Sequence, residues 1–311
     1  MIEHITQEEE AHLRLLCKRY LNLPIDTITP LNKQTTNLLY LIHAEQRKYI
    51  LKQLNPLTWL GKRTQQEITF SESVTSLVAA QLKNTNAALL WQGQHYLIPE
   101  LEKWYILIPF VEGEICRNWS IRQSELLGQT LALIHASSLP QKEAKPFPKL
   151  NLDQALMPSR WQQRVERINE NRFHRFEEWV TSHRDLHAGN VIWTQESIPH
   201  LIDWESIGLI HPFVDLVGLA LNAAEIPMCR FNSANFCATL EGYRIIAGSL
   251  PKEDTLLWEQ CVHSWLLWYQ YSLDRKQHQE AKDTMMVLDL IDDHFNKMKE
   301  LYLTRPQSLG I

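Results

Sequence analysis

Two carboxylates and a carboxamide are the residues best suited to chemistry. They are Asp185, Asn190 and Asp203, carried by His183-Arg184-Asp185-Leu186-His187-Ala188-Gly189-Asn190 and Leu201-Ile202-Asp203-Trp204. Phosphoryl transfer leaves a protein little covalent work. It asks for a carboxylate beside the attacking hydroxyl, oxygen ligands for magnesium and a cation on the phosphates. Asp185 would supply the first. Asn190 and Asp203 offer one amide and one carboxylate oxygen, the hard donors that magnesium takes in small number while keeping some waters. The apolar runs 190–193 and 200–202, with a polar turn between them, read as a hairpin that brings Asn190 beside Asp203.

His-Arg-Asp, four residues and then Asn is the catalytic-loop pattern of the protein-kinase-like fold. The form His183-x-Asp185-x-His187-x-x-Asn190 resembles that of aminoglycoside phosphotransferases and of choline and ethanolamine kinases. Leu126 to His135 resembles that family's helix before the loop, Asp203-Trp204-Glu205 its metal motif, and His211-Pro212-Phe213-Val214-Asp215-Leu216 the segment after it. The resemblance implies an α+β, bilobal protein-kinase-like fold. Residues 1–109 would form a small β-rich nucleotide-binding N-lobe, and 110–311 a larger helical lobe for catalysis and substrate. It also implies a magnesium-dependent phosphotransferase, with ATP as donor and GTP as the alternative.

The remaining elements must position these groups. Thr6-Gln7-Glu8-Glu9 is a capping box before an apolar stripe of Leu13, Leu16, Cys17 and Tyr20, which predicts a helix ending near Pro24. Strands are expected through 28–31 and 37–42. Between them Asn32-Lys33-Gln34-Thr35-Thr36 has no glycine, so a phosphate contact would use the hydroxyls of Thr35 and Thr36 or the charge of Lys33; the same residues also suit a solvated turn. Tyr49 to Leu54 reads as a buried strand with one lysine, and by resemblance Lys52 would hold the α and β phosphates. Such a lysine needs an acidic partner. Glu67 is occupied by a second capping box with Thr64, which leaves Glu72. Trp104 to Gly113 runs from a strand into a connector, where by resemblance backbone groups near Ile108 to Phe110 would bond the adenine edge.

Helical periodicity follows over 124–135 and over 158–179, with an exposed loop at 140–149. After Asp215 the chain reads as helical, broken at 233–235 and 248–251. Only eleven residues separate Asp203 from Asp215 and no Ala-Pro-Glu follows, so the acceptor is expected to be small rather than a peptide. His263 to Arg275 is rich in aromatics. Trp265, Trp268 and Tyr271 could present faces to an ammonium group, with Asp274 and Glu205 adding charge, or the tryptophans could be core packing. An aminoglycoside, choline, thiamine or another amino alcohol would fit.

The 311 residues hold no apolar run of the roughly 18 residues a membrane helix needs. Five scattered cysteines lack metal-ligand spacing, and a net charge of −5 of mixed sign gives no basic stripe. A cytoplasmic protein with a small-molecule acceptor, and with neither nucleic acid nor membrane as partner, is expected. Two rival readings remain: a nucleotide- or ligand-binding pseudokinase of the same fold, favoured by the glycine-free loop, and a kinase acting on a protein or lipid head group.

Overall fold

Residues 5–21, 24–31, 37–91, 93, 103–152, 157–194 and 198–304 are described in the computed structural model. The chain divides into two compact units, Met1–Glu112 and Gly113–Ile311. The expected division falls slightly earlier, after residue 109. Residues 110–112 stay with the first unit because the Phe110 N–H donates to the Lys48 carbonyl (3.0 Å), while Lys48 Nζ meets Glu112 Oε1 (2.6 Å) and lies over the Phe110 ring.

In the first unit, helix α1 (Gln7–Leu21) starts where the Thr6 hydroxyl accepts the Glu9 N–H. Strands β1 (Thr27–Pro30), β2 (Leu38–Ala44) and β3 (Arg47–Leu54) lead through a short hairpin, β4 (Leu57–Thr58) and β5 (Gly61–Lys62), to α2 (Gln65–Leu82) and then β6 (Trp104–Pro109). The sheet runs β1-β2-β3-β6, antiparallel throughout. Alternation of side chains along the strands gives it two apolar faces. Leu13, Leu16 and Cys17 of α1 pack with Ile42, Tyr49, Leu51 and Leu107 on one, and Ile68 of α2 packs with Leu54 and Ile106 on the other. The capping box at Thr64 and Glu67 forms as expected: Thr64 N–H donates to Glu67 Oε2 (2.7 Å) and Glu67 N–H to Thr64 Oγ1 (3.3 Å). Thr35 and Thr36 lie outside the described residues.

The second unit is mainly helical. Its helices are α3 (Ile121–Ala136), α4 (Ser159–Glu170), α5 (Pro212–Ala223), α6 (Ser233–Ala247), α7 (Thr255–Gln260), α8 (His263–Asp274), α9 (His278–Asp293) and α10 (Phe295–Leu303). Two small ladders pair β7 (Val180–Ser182) with β10 (Gly208–Ile210), and β8 (Val191–Trp193) with β9 (Pro199–Leu201). Helices α3 and α6 approach so closely that a Cβ on Gly128 would stand 2.0 Å from the Thr239 carbonyl oxygen, and one on Gly242 would stand 1.9 Å from that of Glu125.

Three expected boundaries move. Helix α3 starts before 124 because Ser120 and Gln123 form a capping box of their own. The stretch expected to be helical to 179 stops at Glu170, where the Asn171 carboxamide donates to the Arg167 carbonyl and Arg175 turns left-handed (φ +52°). Ser233 to Asn235 are the first turn of α6 rather than a break, since the Asn232 side chain accepts the Asn235 N–H. Among the described residues, no helix is long and apolar enough to cross a membrane.

Candidate active site

The β7·β10 ladder pairs Ser182 with Gly208, and the β8·β9 ladder pairs Val191 with Leu201. The loops 183–190 and 202–207 are therefore bracketed at both ends and run alongside each other. Between them the Ile202 N–H donates to the Asn190 carbonyl (3.0 Å), and His183 Nε2 donates to the Ile202 carbonyl (2.9 Å). The His183 ring is fully buried against Trp204, their centroids 4.6 Å apart, and burial lowers its pKa, so it stays neutral. His183 thus fixes the loop that carries Asp203.

Asp185 is half-buried. Asn190 Nδ2 donates to its backbone carbonyl (2.8 Å), the Ser206 hydroxyl faces its Oδ2 (3.4 Å), and His187 Nε2 stands 3.8 Å from its Oδ1. The other His187 nitrogen, Nδ1, accepts the Gly189 N–H (3.1 Å), so a neutral ring carries its proton on Nε2, the side facing Asp185. With Nδ2 of Asn190 committed inward, its Oδ1 is the atom left to bind a cation. Asp203, one residue past the Ile202–Asn190 bond, is half-buried in the left-handed region (φ +63°), a conformation that costs about 1 to 3 kcal/mol outside glycine. An amide oxygen and a carboxylate on adjoining strands' ends are a donor set that magnesium accepts.

Arg184, buried and also left-handed (φ +64°), binds the carbonyls of Ser206 (2.6 Å), Lys145 (2.9 Å), Ile207 (3.3 Å) and Leu209 (3.4 Å), with its guanidinium 4.6 Å from the Phe147 ring centre. Burial pushes its pKa down to about 9, which leaves it charged at neutral pH. Gly208 makes room for it, since a Cβ there would lie 2.5 Å from Arg184 Cζ. Arg184 is thus turned away from solvent and anchors the segment that follows Asp203.

In the first unit Lys52 is buried on β3, opposite Ile106 of β6. Together with Leu54 it occupies the sheet face covered by α2. Glu72 is buried one helical turn after Ile68, which packs on that same face. In the connector, the Phe110 N–H is committed to Lys48 and the Pro109 carbonyl accepts from Asn86 Nδ2 (2.8 Å).

On α8, Trp265 and Trp268 are half-buried, Tyr271 is buried and Asp274 is exposed. Tyr271 is not a free cation-facing ring: Arg275 lies 5.3 Å from its centre and donates to its hydroxyl (2.9 Å). Trp268 donates to Glu280 at the start of α9 (2.9 Å) and packs on Tyr271, bracing the turn between the two helices. Glu205 is half-buried, two residues beyond Asp203.

Sequence reasoning missed Ser206, and nothing in its local pattern marks it. The stretch 140–149, expected to be an exposed loop, is in part buried: Ala144 and Phe147 are inside, and the Lys145 carbonyl serves both Arg184 and the Leu209 N–H. Strands of three residues carry too little periodicity to reveal the ladders that set these contacts.

Residues 27–247 match the profile of the phosphotransferase enzyme family. Among solved structures, a choline kinase from Streptococcus pneumoniae shares the fold at a TM-score of 0.67 and 14% identity, over 92% of this chain and 100% of the other. A spectinomycin phosphotransferase crystallised with ADP and spectinomycin has a TM-score of 0.61 and 16% identity, over 94% and 97% of the two chains. A microcompartment-associated aminopropanol kinase has a TM-score of 0.61 and 14% identity, over 93% and 98%. At these identities the likeness establishes the fold, which is the α+β protein-kinase-like one expected from the sequence. No curated protein matches the chain.

Proposed function

The chain belongs to the phosphotransferase enzyme family, and on that premise we propose that it moves the γ-phosphoryl group of ATP to a hydroxyl of a small, cationic molecule. GTP is the alternative donor. The reading rests above all on the two bracketed loops, which tie Asn190 to the residue before Asp203 and to the backbone of Asp185.

Asp185 orients the acceptor hydroxyl and receives its proton as the oxygen bonds to the γ-phosphorus and the bond to the β-phosphate oxygen breaks. His187 Nε2 and the Ser206 hydroxyl, facing one carboxylate oxygen each, keep Asp185 oriented. Asn190 and Asp203 are the residues that would hold magnesium, which when bound neutralises charge on the β and γ phosphates. From the first unit Lys52, with Glu72 as its partner, holds the α and β phosphates. The burial of both side chains supports that pairing, because a lysine so placed is costly without an acid. A donor nucleotide is further supported by the spectinomycin phosphotransferase, crystallised with ADP and with AMP.

For the acceptor, Glu205, Trp265 and Asp274 are the groups proposed to meet a cationic amine. The substrates for which three structural neighbours are named, choline, aminopropanol and spectinomycin, point the same way. Five free cysteines suit a reducing compartment, and the enzyme is proposed to act in the cytoplasm. The test is nucleotide turnover with ATP and MgCl2 over a panel of choline, ethanolamine, aminopropanol, thiamine and aminoglycosides. Acceptor-dependent ADP release with a phosphorylated product supports the reading. Labelled phosphate recovered on protein or lipid from cell extract, and on no small molecule, would overturn it.

A further inference from the structure

The contacts of Arg184 reach beyond anchoring. Its planar guanidinium is matched by four backbone carbonyls, three of them in the stretch Ser206 to Leu209 that directly follows the Asp203 loop. Ser206 is where this clamp meets the reacting group. Its carbonyl is held by Arg184 Nε at 2.6 Å, and its buried hydroxyl faces Asp185 Oδ2 at 3.4 Å. Because Arg184 precedes Asp185 in the chain, these contacts close a ring that runs from the Asp185 carboxylate through Ser206 and Arg184 back to the Asp185 backbone.

We propose that Arg184 and Ser206 are positioning residues that couple the segment carrying Asp203 to the carboxylate of Asp185, a role that rests on the phosphoryl-transfer reading above. Two left-handed residues other than glycine, Arg184 and Asp203, flank the coupled groups. Backbone strain of that kind persists only where surrounding contacts over-determine it, and it concentrates at functional sites. The clamp supplies those contacts. A hydroxyl donating to a carboxylate is a charge-assisted bond that restricts rotation of the carboxylate. At 3.4 Å it is long, as catalytic hydrogen bonds are before substrate tightens them. Phe147 extends the arrangement to α8: it lies under Arg184 and meets the ring of His263, the first residue of that helix, edge to face at 5.4 Å.

Ser206→Ala is the informative variant, because it leaves the carbonyls held by Arg184 in place. Its kcat with ATP, MgCl2 and the best acceptor of the panel should fall about ten- to a hundredfold, while the KM for ATP stays within about twofold. Ser206→Thr, which keeps the hydroxyl, should recover most of the loss. In Arg184→Lys, hydrogen exchange at the Leu209 amide, bonded to the Lys145 carbonyl that Arg184 also holds, should quicken at least about tenfold. A kcat in Ser206→Ala within about twofold of wild type, or unchanged exchange in Arg184→Lys, would overturn the coupling and leave the phosphotransferase reading intact. Wild-type protein that turns over no acceptor of the panel would overturn that reading instead, with the exchange measurement still deciding whether the clamp exists.

Discussion

Asn190 donates its Nδ2–H to the backbone carbonyl of Asp185 at 2.8 Å. One side chain therefore closes the loop that aims the proposed base and keeps its own oxygen for the proposed magnesium. Removing it should harm both functions at once. For Asn190→Ala we expect the magnesium concentration at half-saturation of ATP binding to rise about ten- to a hundredfold, and for Asp203→Ala magnesium-dependent binding to disappear. Titration of ATP affinity against MgCl2 reads both, and an unchanged magnesium dependence in Asp203→Ala would remove that residue from the metal site.

The contact of α3 with α6 leaves no room for a methyl group. Gly128→Ala should destabilise the fold by about 1 to 3 kcal/mol or more, because the new Cβ would meet backbone rather than a flexible side chain. Gly218, inside α5 with nothing near its would-be Cβ, is the matched control. Gly218→Ala should stabilise by about 0.5 to 1 kcal/mol, the helix penalty of glycine. Urea unfolding of the two variants separates close packing from helix propensity, and equal effects would argue against the tight crossing.

His263 gives the fold a pH dependence of defined sign. It is buried at the start of α8, where its Nε2 donates to the Pro148 carbonyl (3.0 Å), and desolvation drops its pKa from 6.5 to about 4. The unfolded chain therefore binds this proton more readily than the folded one. Stability is full above pH 6.5 and falls by about 3 kcal/mol as pH drops towards 4. Burial lowers the pKa of His183, His200 and His211 as well, which adds in the same direction. His263→Gln, which can still donate to Pro148, should flatten the slope. Parallel stability profiles for wild type and variant between pH 7 and 4.5 would contradict this.

What could be read from the sequence is what local chemistry encodes. The capping box at Thr64 and Glu67 is legible because both partners lie within one turn, and the adjacency of Asn190 and the Asp203 segment is legible because a hairpin joins them. The same cue at Ser120 and Gln123 stands ahead of the periodic segment and goes unused, so α3 begins earlier than expected. Tyr271 shows the opposite limit. Its helical spacing beside Trp268 suggests an open aromatic face, but Arg275, one turn further on, already covers that ring. The Arg184 clamp depends on Lys145, Ser206 and Leu209, distant positions contributing backbone carbonyls, and a carbonyl has no sequence signature.

The central claim is that Asp185 serves the reaction and not the binding of the nucleotide. Single-turnover phosphoryl transfer and ATP affinity, measured side by side on wild type and Asp185→Ala, test it most directly. Transfer should fall by about a thousandfold while ATP affinity stays within about twofold. Transfer at the wild-type rate in Asp185→Ala would contradict the account.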